Sequence, residues 1–317
     1  MPQKLVSIVI ASWNRREDLR ETLNAYLQQS YLNLEIIVVD NGSTDGTAEM
    51  VQREFPKVAY VGLAENTGVA AYNIGMKMAK GEIIVVSDND SYLEPGGIEK
   101  ILHKFEQGER NLAVVACEIV FIPSGSIYQW YYHPADRKNP DKLGYPTHMF
   151  IGAGAAIKNS VLKEVGYYPE EFFLFMNEID LSTRIIGAGY EIRYFPDIIA
   201  YHKGSMVSRP KRDSQLMSFR NIIWYYWKYY PISVAFRRSM LRIPFDILVL
   251  SMAGISPVLI WKTLSQTARQ MPAIMRNRTP IPRQYVKKAL GYRGELSNLY
   301  SYCREVLTRK LASRRKK

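Results

Sequence analysis

Gly81-Glu82-Ile83-Ile84-Val85-Val86-Ser87-Asp88-Asn89-Asp90 is the stretch on which the reading of this chain turns. Four β-branched apolar residues run straight into two carboxylates one residue apart. A continuous apolar run, rather than an alternating one, predicts a strand buried on both faces. In an open α/β sheet, ligands gather at the carboxyl ends of the strands. Asp88 and Asp90 therefore stand where a divalent cation and a phosphate can meet, because Mg²⁺ and Mn²⁺ combine carboxylate oxygens with substrate phosphates. An Asp/Asn-rich turn that merely ends a strand fits the same ten residues. The motif needs support from the rest of the chain.

Upstream, Leu5–Ala11 reads as another buried strand, followed by Ser12-Trp13-Asn14-Arg15-Arg16 and a helical pattern over Glu17–Gln29. Leu34–Val39 is the next strand and runs into the turn-rich Asp40-Asn41-Gly42-Ser43-Thr44-Asp45-Gly46. There Ser43 or Thr44 is expected to cap a helix over Asp45–Phe55. Val58–Gly62 is a short strand, and Asn66-Thr67-Gly68 leads into a helix to Lys80. Strands alternating with helices predict a doubly wound, mainly parallel sheet flanked by helices. Asp40 at a strand end can bond a base or ribose, or simply shape a turn. Gly68, beside Asn66 and Asn73, lets backbone approach a phosphate or serves a tight turn. P-loop and dinucleotide glycine motifs are both missing, which argues against those nucleotide sites.

Downstream, Ile98–Phe105 reads as a helix and Leu112–Phe121 as a buried strand. The aromatic, Pro-rich stretch 128–146 suits a loop over an active site. Ile151–Ile157 (IGAGAAI) is a run of small residues between two isoleucines, either for packing or to leave room for a substrate. Phe172–Arg184 places Glu178 and Asp180 just ahead of a helix that ends at Gly187 or Gly189, where acids also favour a helix dipole. Tyr190–Tyr201 then leads to His202, a residue type common among metal ligands and equally common as a structural group.

The charge is divided. Residues 1–210 carry 20 Lys/Arg against 26 Asp/Glu, whereas residues 211–317 carry 22 against 4. Cys117 and Cys303 have no paired spacing, which argues against a disulfide scaffold or cysteine zinc site and suits a reducing compartment. The opening Met1-Pro2-Gln3-Lys4 has no signal-peptide pattern. A catalytic unit over 1–210 and a basic, aromatic helical region over 211–317 are therefore expected. In the latter, Arg220–Tyr230 mixes Trp and Tyr with positive charge, as membrane-interface segments do. Residues 243–261 approach the ~20 apolar residues of a span. They contain Asp246 and prolines, and both flanks are basic, which favours amphipathic helices lying on an anionic cytoplasmic leaflet. A helical domain packing Met240, Leu241 and Leu248 in its own core is the alternative. No nucleic-acid recognition motif is present.

The motifs VSIVIASWNR, EIIVVDNGSTDGT, ENTGVAAYNIGM, VVSDND, the acid pair through DLSTR, and PDIIAYHKGS together resemble glycosyltransferase family 2, nearest its rhamnosyltransferase-like branch. The resemblance covers roughly residues 5–230. It implies a GT-A (Rossmann-like) fold, a UDP-, dTDP- or GDP-sugar donor, Mn²⁺ or Mg²⁺, and inversion at the anomeric carbon. It implies Asp40 on the nucleotide base, with Ser12, Asn14, Asn66, Gly68 and Asn73 in the donor pocket. Asp88 and Asp90 match the D-x-D pair, Asp90 as metal ligand and Asp88 toward the ribose or a bound water, with His202 completing the metal site. Glu178 falls on the base position, where the family has Asp in an E-D pair, and Asp180 is the reserve. Joined to the basic tail, this suggests a lipid-linked, polyprenyl-diphosphate glycan acceptor at the cytoplasmic membrane face. A soluble or protein acceptor, or a non-catalytic nucleotide-sugar-binding scaffold, remain the alternatives.

Overall fold

The computed structural model describes residues 3–127, 144–204 and 211–291. Most of the expected loop over the site, Ser205, Cys303 and the basic segment beyond 291 lie outside the described residues. The first half alternates as the sequence predicts: β1 Val6–Ser12, α1 Arg16–Leu27, β2 Leu34–Asp40, α2 Thr47–Glu54, β3 Ala59–Gly62, α3 Ala70–Met78 and β4 Ile83–Asp88. β3, β2, β1 and β4 lie side by side and parallel. The register sets Ser12 beside Asp40 and Ala11 beside Asp88, so these residues share one sheet edge. Alternate residues serve opposite faces. Val9, Ile84 and Val86 pack in one core, and Ile8, Ile10 and Val85 in the other. That is why these strands read as unbroken apolar runs.

The second half departs from the mainly parallel sheet. It contains β5 Ser91–Leu93, α4 Gly97–Gln107, β6 Leu112–Phe121, β7 Tyr145–Thr147, β8 Ala155–Lys158, α5 Asn159–Val165, α6 Asn177–Gly187 and β9 Glu191–His202. The sheet is mixed, in the order β3-β2-β1-β4-β8-β6-β9-β5 with β7 on β9. β8 runs antiparallel to both β4 and β6. A parallel neighbour needs a crossover, usually a helix, and the described residues between β6 and β8 hold none. The small residues before and in β8 have a packing reason, since a Cβ on Gly154 would lie 2.3 Å from the Ala200 Cβ.

The helical region is α7 Lys211–Tyr229, α8 Ile232–Met252, α9 Pro257–Arg276 and α10 Arg283–Ala289. Its aromatic run is interior, not interfacial: Trp224, Tyr225, Tyr226, Tyr229 and Tyr230 are at most 5% exposed and share a core with Val9 and Ile84. Their polar atoms find partners inside, as Tyr225 does with Thr183 at 2.7 Å and Tyr230 at 2.6 Å. The apolar stretch 243–261 is divided between α8 and α9. Gly254, at φ 81°, ends the first and the Ser256 hydroxyl caps the second. Among the described residues, no helix is long and apolar enough to cross a membrane. Asp246 is buried and paired with Arg242 at 2.7 Å. Met240, Leu241 and Leu248 are not core residues. They are 52%, 47% and 57% exposed.

Candidate active site

Three side chains of types that can ligate a metal ion meet above the β4 end. β5 pairs antiparallel with β9, setting Ser91 opposite His202, and the Lys203 amide donates to the Asp90 carbonyl at 3.0 Å. His202 Nε2 thereby comes 3.1 Å from Asp90 Oδ1 and 3.6 Å from Asp88 Oδ2. One ligand atom from each residue lies within 4.8 Å of the others. Phe121 stacks on the imidazole with ring centroids 5.5 Å apart. The Tyr72 hydroxyl donates to Asp88 Oδ1 at 2.7 Å, and Arg15 pairs with Asp90 Oδ2 at 2.9 Å. Two carboxylates and an imidazole form an oxygen-rich donor set with one borderline nitrogen, which fits Mn²⁺.

Across the same cavity, of about 560 Å³, stands Glu178 in the first turn of α6. A Cβ on Gly152 would lie 3.1 Å from Glu178 Oε1, so this glycine leaves the carboxylate room to enter the cavity. Desolvation pushes the Glu178 carboxyl up to about 7, and the charge of Asp88 adds to the rise. Backbone amides of Glu178 itself and of Gly152 oppose that rise. Asp180 points elsewhere. It is fully buried and paired with Arg184 at 2.6 Å, with Lys228 at 3.9 Å, and it does not line the cavity. The reserve base is a structural ion pair.

The other donor-pocket candidates divide in two. Ser12, Asn66, Gly68 and Asp88 line the cavity. Gly68 earns its place by close packing, since a Cβ there would lie 2.0 Å from the Phe173 carbonyl oxygen. Asn14, Asp40 and Asn73 do not line it. Asn14 clamps two loops, its Oδ1 accepting from the Thr44 amide at 2.8 Å while its backbone N–H donates to Ser43 Oγ at 2.8 Å. Asp40 accepts from the Tyr60 hydroxyl at 2.7 Å and the Ser43 amide at 3.1 Å. Asn73 staples Tyr168 through its backbone amide and carbonyl, both at 2.9 Å. The expected cap of α2 also changes, because Asp45 rather than Ser43 or Thr44 accepts from Thr47.

Sequence reasoning missed Tyr72, Tyr168 and Arg15, all on the cavity wall. Tyr168 is 3% exposed, and its hydroxyl has no hydrogen-bond partner among the described residues. Arg15 and Tyr72 had a signal, since each lies within a quoted motif, VSIVIASWNR and ENTGVAAYNIGM, and Tyr168 had none.

The glycosyl transferase family 2 profile matches residues 7–166, just over half of the chain. An uncharacterized glycosyltransferase of Rickettsia typhi is 30% identical over 188 residues, 57% of this chain and 58% of that protein. The poly-beta-1,6-N-acetyl-D-glucosamine synthase of Staphylococcus epidermidis is 27% identical over 211 residues, 62% of this chain and 49% of that protein. The chain spans about half the length of the curated relatives it matches. A mannosyltransferase from Pyrobaculum calidifontis, solved in complex with GDP-Man and Mn²⁺, superposes with a TM-score of 0.56 at 19% identity. That match covers 94% of this chain and 88% of the other. At this identity it carries the fold alone, a GT-A fold whose mixed sheet is flanked by helices.

Proposed function

The chain belongs to glycosyl transferase family 2, and from that premise we propose that it is an inverting, metal-dependent transferase. It moves a sugar from a nucleoside-diphosphate donor to a hydroxyl of a lipid-linked, polyprenyl-diphosphate glycan at the cytoplasmic face of a membrane. One observation carries the reading: a single cavity receives Glu178 on one side and Asp88 with His202 on the other. In the reaction, an acceptor oxygen forms a bond to the anomeric carbon as the bond from that carbon to the diphosphate oxygen breaks. Glu178 takes the hydroxyl proton, and the bonding electron pair leaves with the diphosphate. A carboxyl held near neutrality suits a base that works in that range. Asp88, Asp90 and His202 would hold Mn²⁺, or Mg²⁺ in its place, which when bound stabilises the charge gathering on the leaving diphosphate. Arg15 screens the buried Asp90 carboxylate.

UDP-, dTDP- and GDP-sugars are the donor candidates, and the motif register supports the rhamnosyltransferase-like branch. The bound GDP-Man and Mn²⁺ of the Pyrobaculum enzyme make the GDP-sugar and manganese arms of the test natural starting points. The lipid-linked acceptor rests on the basic C-terminal third and on the exposed apolar residues of α8 and α9.

Thermal melts with UDP, dTDP and GDP, each with Mn²⁺, Mg²⁺ or EDTA, test the donor site, because a ligand of the native state must raise its melting temperature. The expected result is a shift of several degrees with one nucleotide that disappears in EDTA and in Asp90→Ala. No shift with any nucleotide would sink the donor-site reading.

A further inference from the structure

Glu178 enters the cavity from a loop in an unusual backbone conformation. Phe173 lies at φ 61°, ψ −53°, Phe175 at φ 66°, and Met176 at φ 66°, ψ 0°. Positive φ crowds Cβ against the backbone, and bulky residues there are outliers. The Leu174 amide donates to the Phe172 carbonyl at 2.7 Å, closing a γ-turn of the rare positive-φ kind about Phe173. Such strain persists only where the surroundings over-determine it.

The surroundings that do so lie mostly on α7. Asn221 is fully buried, and its Nδ2 donates to the carbonyls of Leu174 at 2.7 Å, Phe172 at 3.0 Å and Phe175 at 3.2 Å. Arg220 adds a donor to Phe172 at 3.1 Å, and the Val69 amide takes the Phe173 carbonyl at 2.7 Å. Every carbonyl from 172 to 175 is thus held by a group from elsewhere in the chain. Met176 then opens α6, and Glu178 follows two residues later. One carboxamide, with two N–H groups, is shared among three acceptors. An Asp at 221 would set acceptor against acceptor, and a Leu would supply no donor.

We propose that Asn221 is the positioning residue for Glu178, holding the 172–176 loop in its strained form and so fixing where the carboxylate stands. This rests on the proposed role of Glu178 as base. It also makes the first C-terminal helix part of the catalytic machinery, since a movement of α7 is a movement of the base.

Hydrogen exchange on the wild type and Asn221→Ser reads the clamp without assuming any activity. Amides of 172–178 are expected to exchange at least tenfold faster in the variant, with β1 and β4 unchanged. Uniform acceleration, or none, overturns the proposal. Turnover of the nucleotide sugar is expected to fall about a hundredfold, the scale of an ångström-sized misplacement. Donor KM should stay within twofold, and the acidic limb of the pH profile should move down from about 7 as water reaches Glu178. Glycine adopts left-handed φ without steric cost. Asn221→Ser should therefore cost less turnover in a Met176→Gly background, whereas an equal loss in both backgrounds would reduce Asn221 to packing. Asn221→Gln keeps the carboxamide but displaces it by one methylene. It should give the same pattern more weakly, and it replaces the serine variant if that does not fold. A wild type without turnover would remove the base assignment and leave the exchange result to decide the clamp.

Discussion

Glu178 and Asp180 are two residues apart on one helix turn, and their surroundings give them different work. Burial raises both carboxyls, but Asp180 answers it with Arg184 and Lys228. Glu178 meets the cavity. Turnover should therefore climb as pH rises through about 7 and level off above it, and Glu178→Gln should lower it about 10²- to 10⁴-fold. Stability runs the opposite way. With a folded pKa near 7 and an ordinary value of 4.5, the native state holds the extra proton between them, so stability falls as pH rises across that window. Glu178→Gln should melt above the wild type at pH 8 and match it at pH 4, which paired melting curves would read. Asp180→Asn removes the buried carboxylate that pairs with Arg184 and should cost about 3–5 kcal/mol in denaturant unfolding. The acid pair was legible in the sequence, but its division of labour was not. Two carboxylates at i and i+2 point to different sides of a helix, and only the packed neighbours decide which side is the cavity.

The strands explain which parts of the fold could be read from the chain. β1, β2 and β4 announced themselves because a strand buried on both faces has to be apolar throughout, and Val9 and Ile10 go to opposite cores as that rule requires. β8 gave no such signal, since four residues are too few for a period and its two alanines favour no strand. Its reading as packing or as space for a substrate resolves one residue at a time. Gly154 faces Ala200, and Gly152 faces Glu178. Gly154→Val should overpack the sheet and cost about 1–3 kcal/mol, visible as a lower melting temperature. Gly152→Ala should leave melting nearly unchanged while lowering turnover and displacing its acidic limb. Equal melting losses in the two variants would return both glycines to a packing role. His202 was the harder inference, because a lone His carries no spacing signal. The β5–β9 pairing that delivers it to Asp90 joins residues more than a hundred positions apart.

At the scale of the whole molecule, the charge division could be read from composition, but the surface that uses it could not. The aromatic run 224–230 looked like the membrane-facing part because Trp and Tyr favour interfaces, and the fold spends it on the shared core instead. The exposed apolar surface lies one helix later. Ile232, Phe236, Met240 and Leu248 recur at multiples of four along the 21 residues of α8, about 32 Å of helix, and each is more than half exposed. Val258 and Trp261 continue the exposed apolar surface at the start of α9, at 74% and 73%. Exposed Arg237, Lys262 and Arg269 lie on the same two helices. Exposed apolar residues interspersed with cations suit a helix lying in the headgroup layer of an anionic bilayer, where burial and charge act together. The protein should therefore co-sediment with phosphatidylglycerol vesicles more strongly than with phosphatidylcholine, and less so as salt screens the basic flank. Phe236→Glu and Leu248→Glu place a charge where each side chain is already exposed. Melting temperature should hardly move, because surface changes of this kind usually stay within about 0.5 kcal/mol. Vesicle binding should fall at least tenfold in the double variant. If binding persists while light scattering shows a wild-type dimer that the variant lacks, the stripe faces a second copy of the chain instead. Because α8 is packed against α7, and Asn221 on α7 holds the loop of Glu178, docking of α8 on either partner would be coupled to the placement of the base.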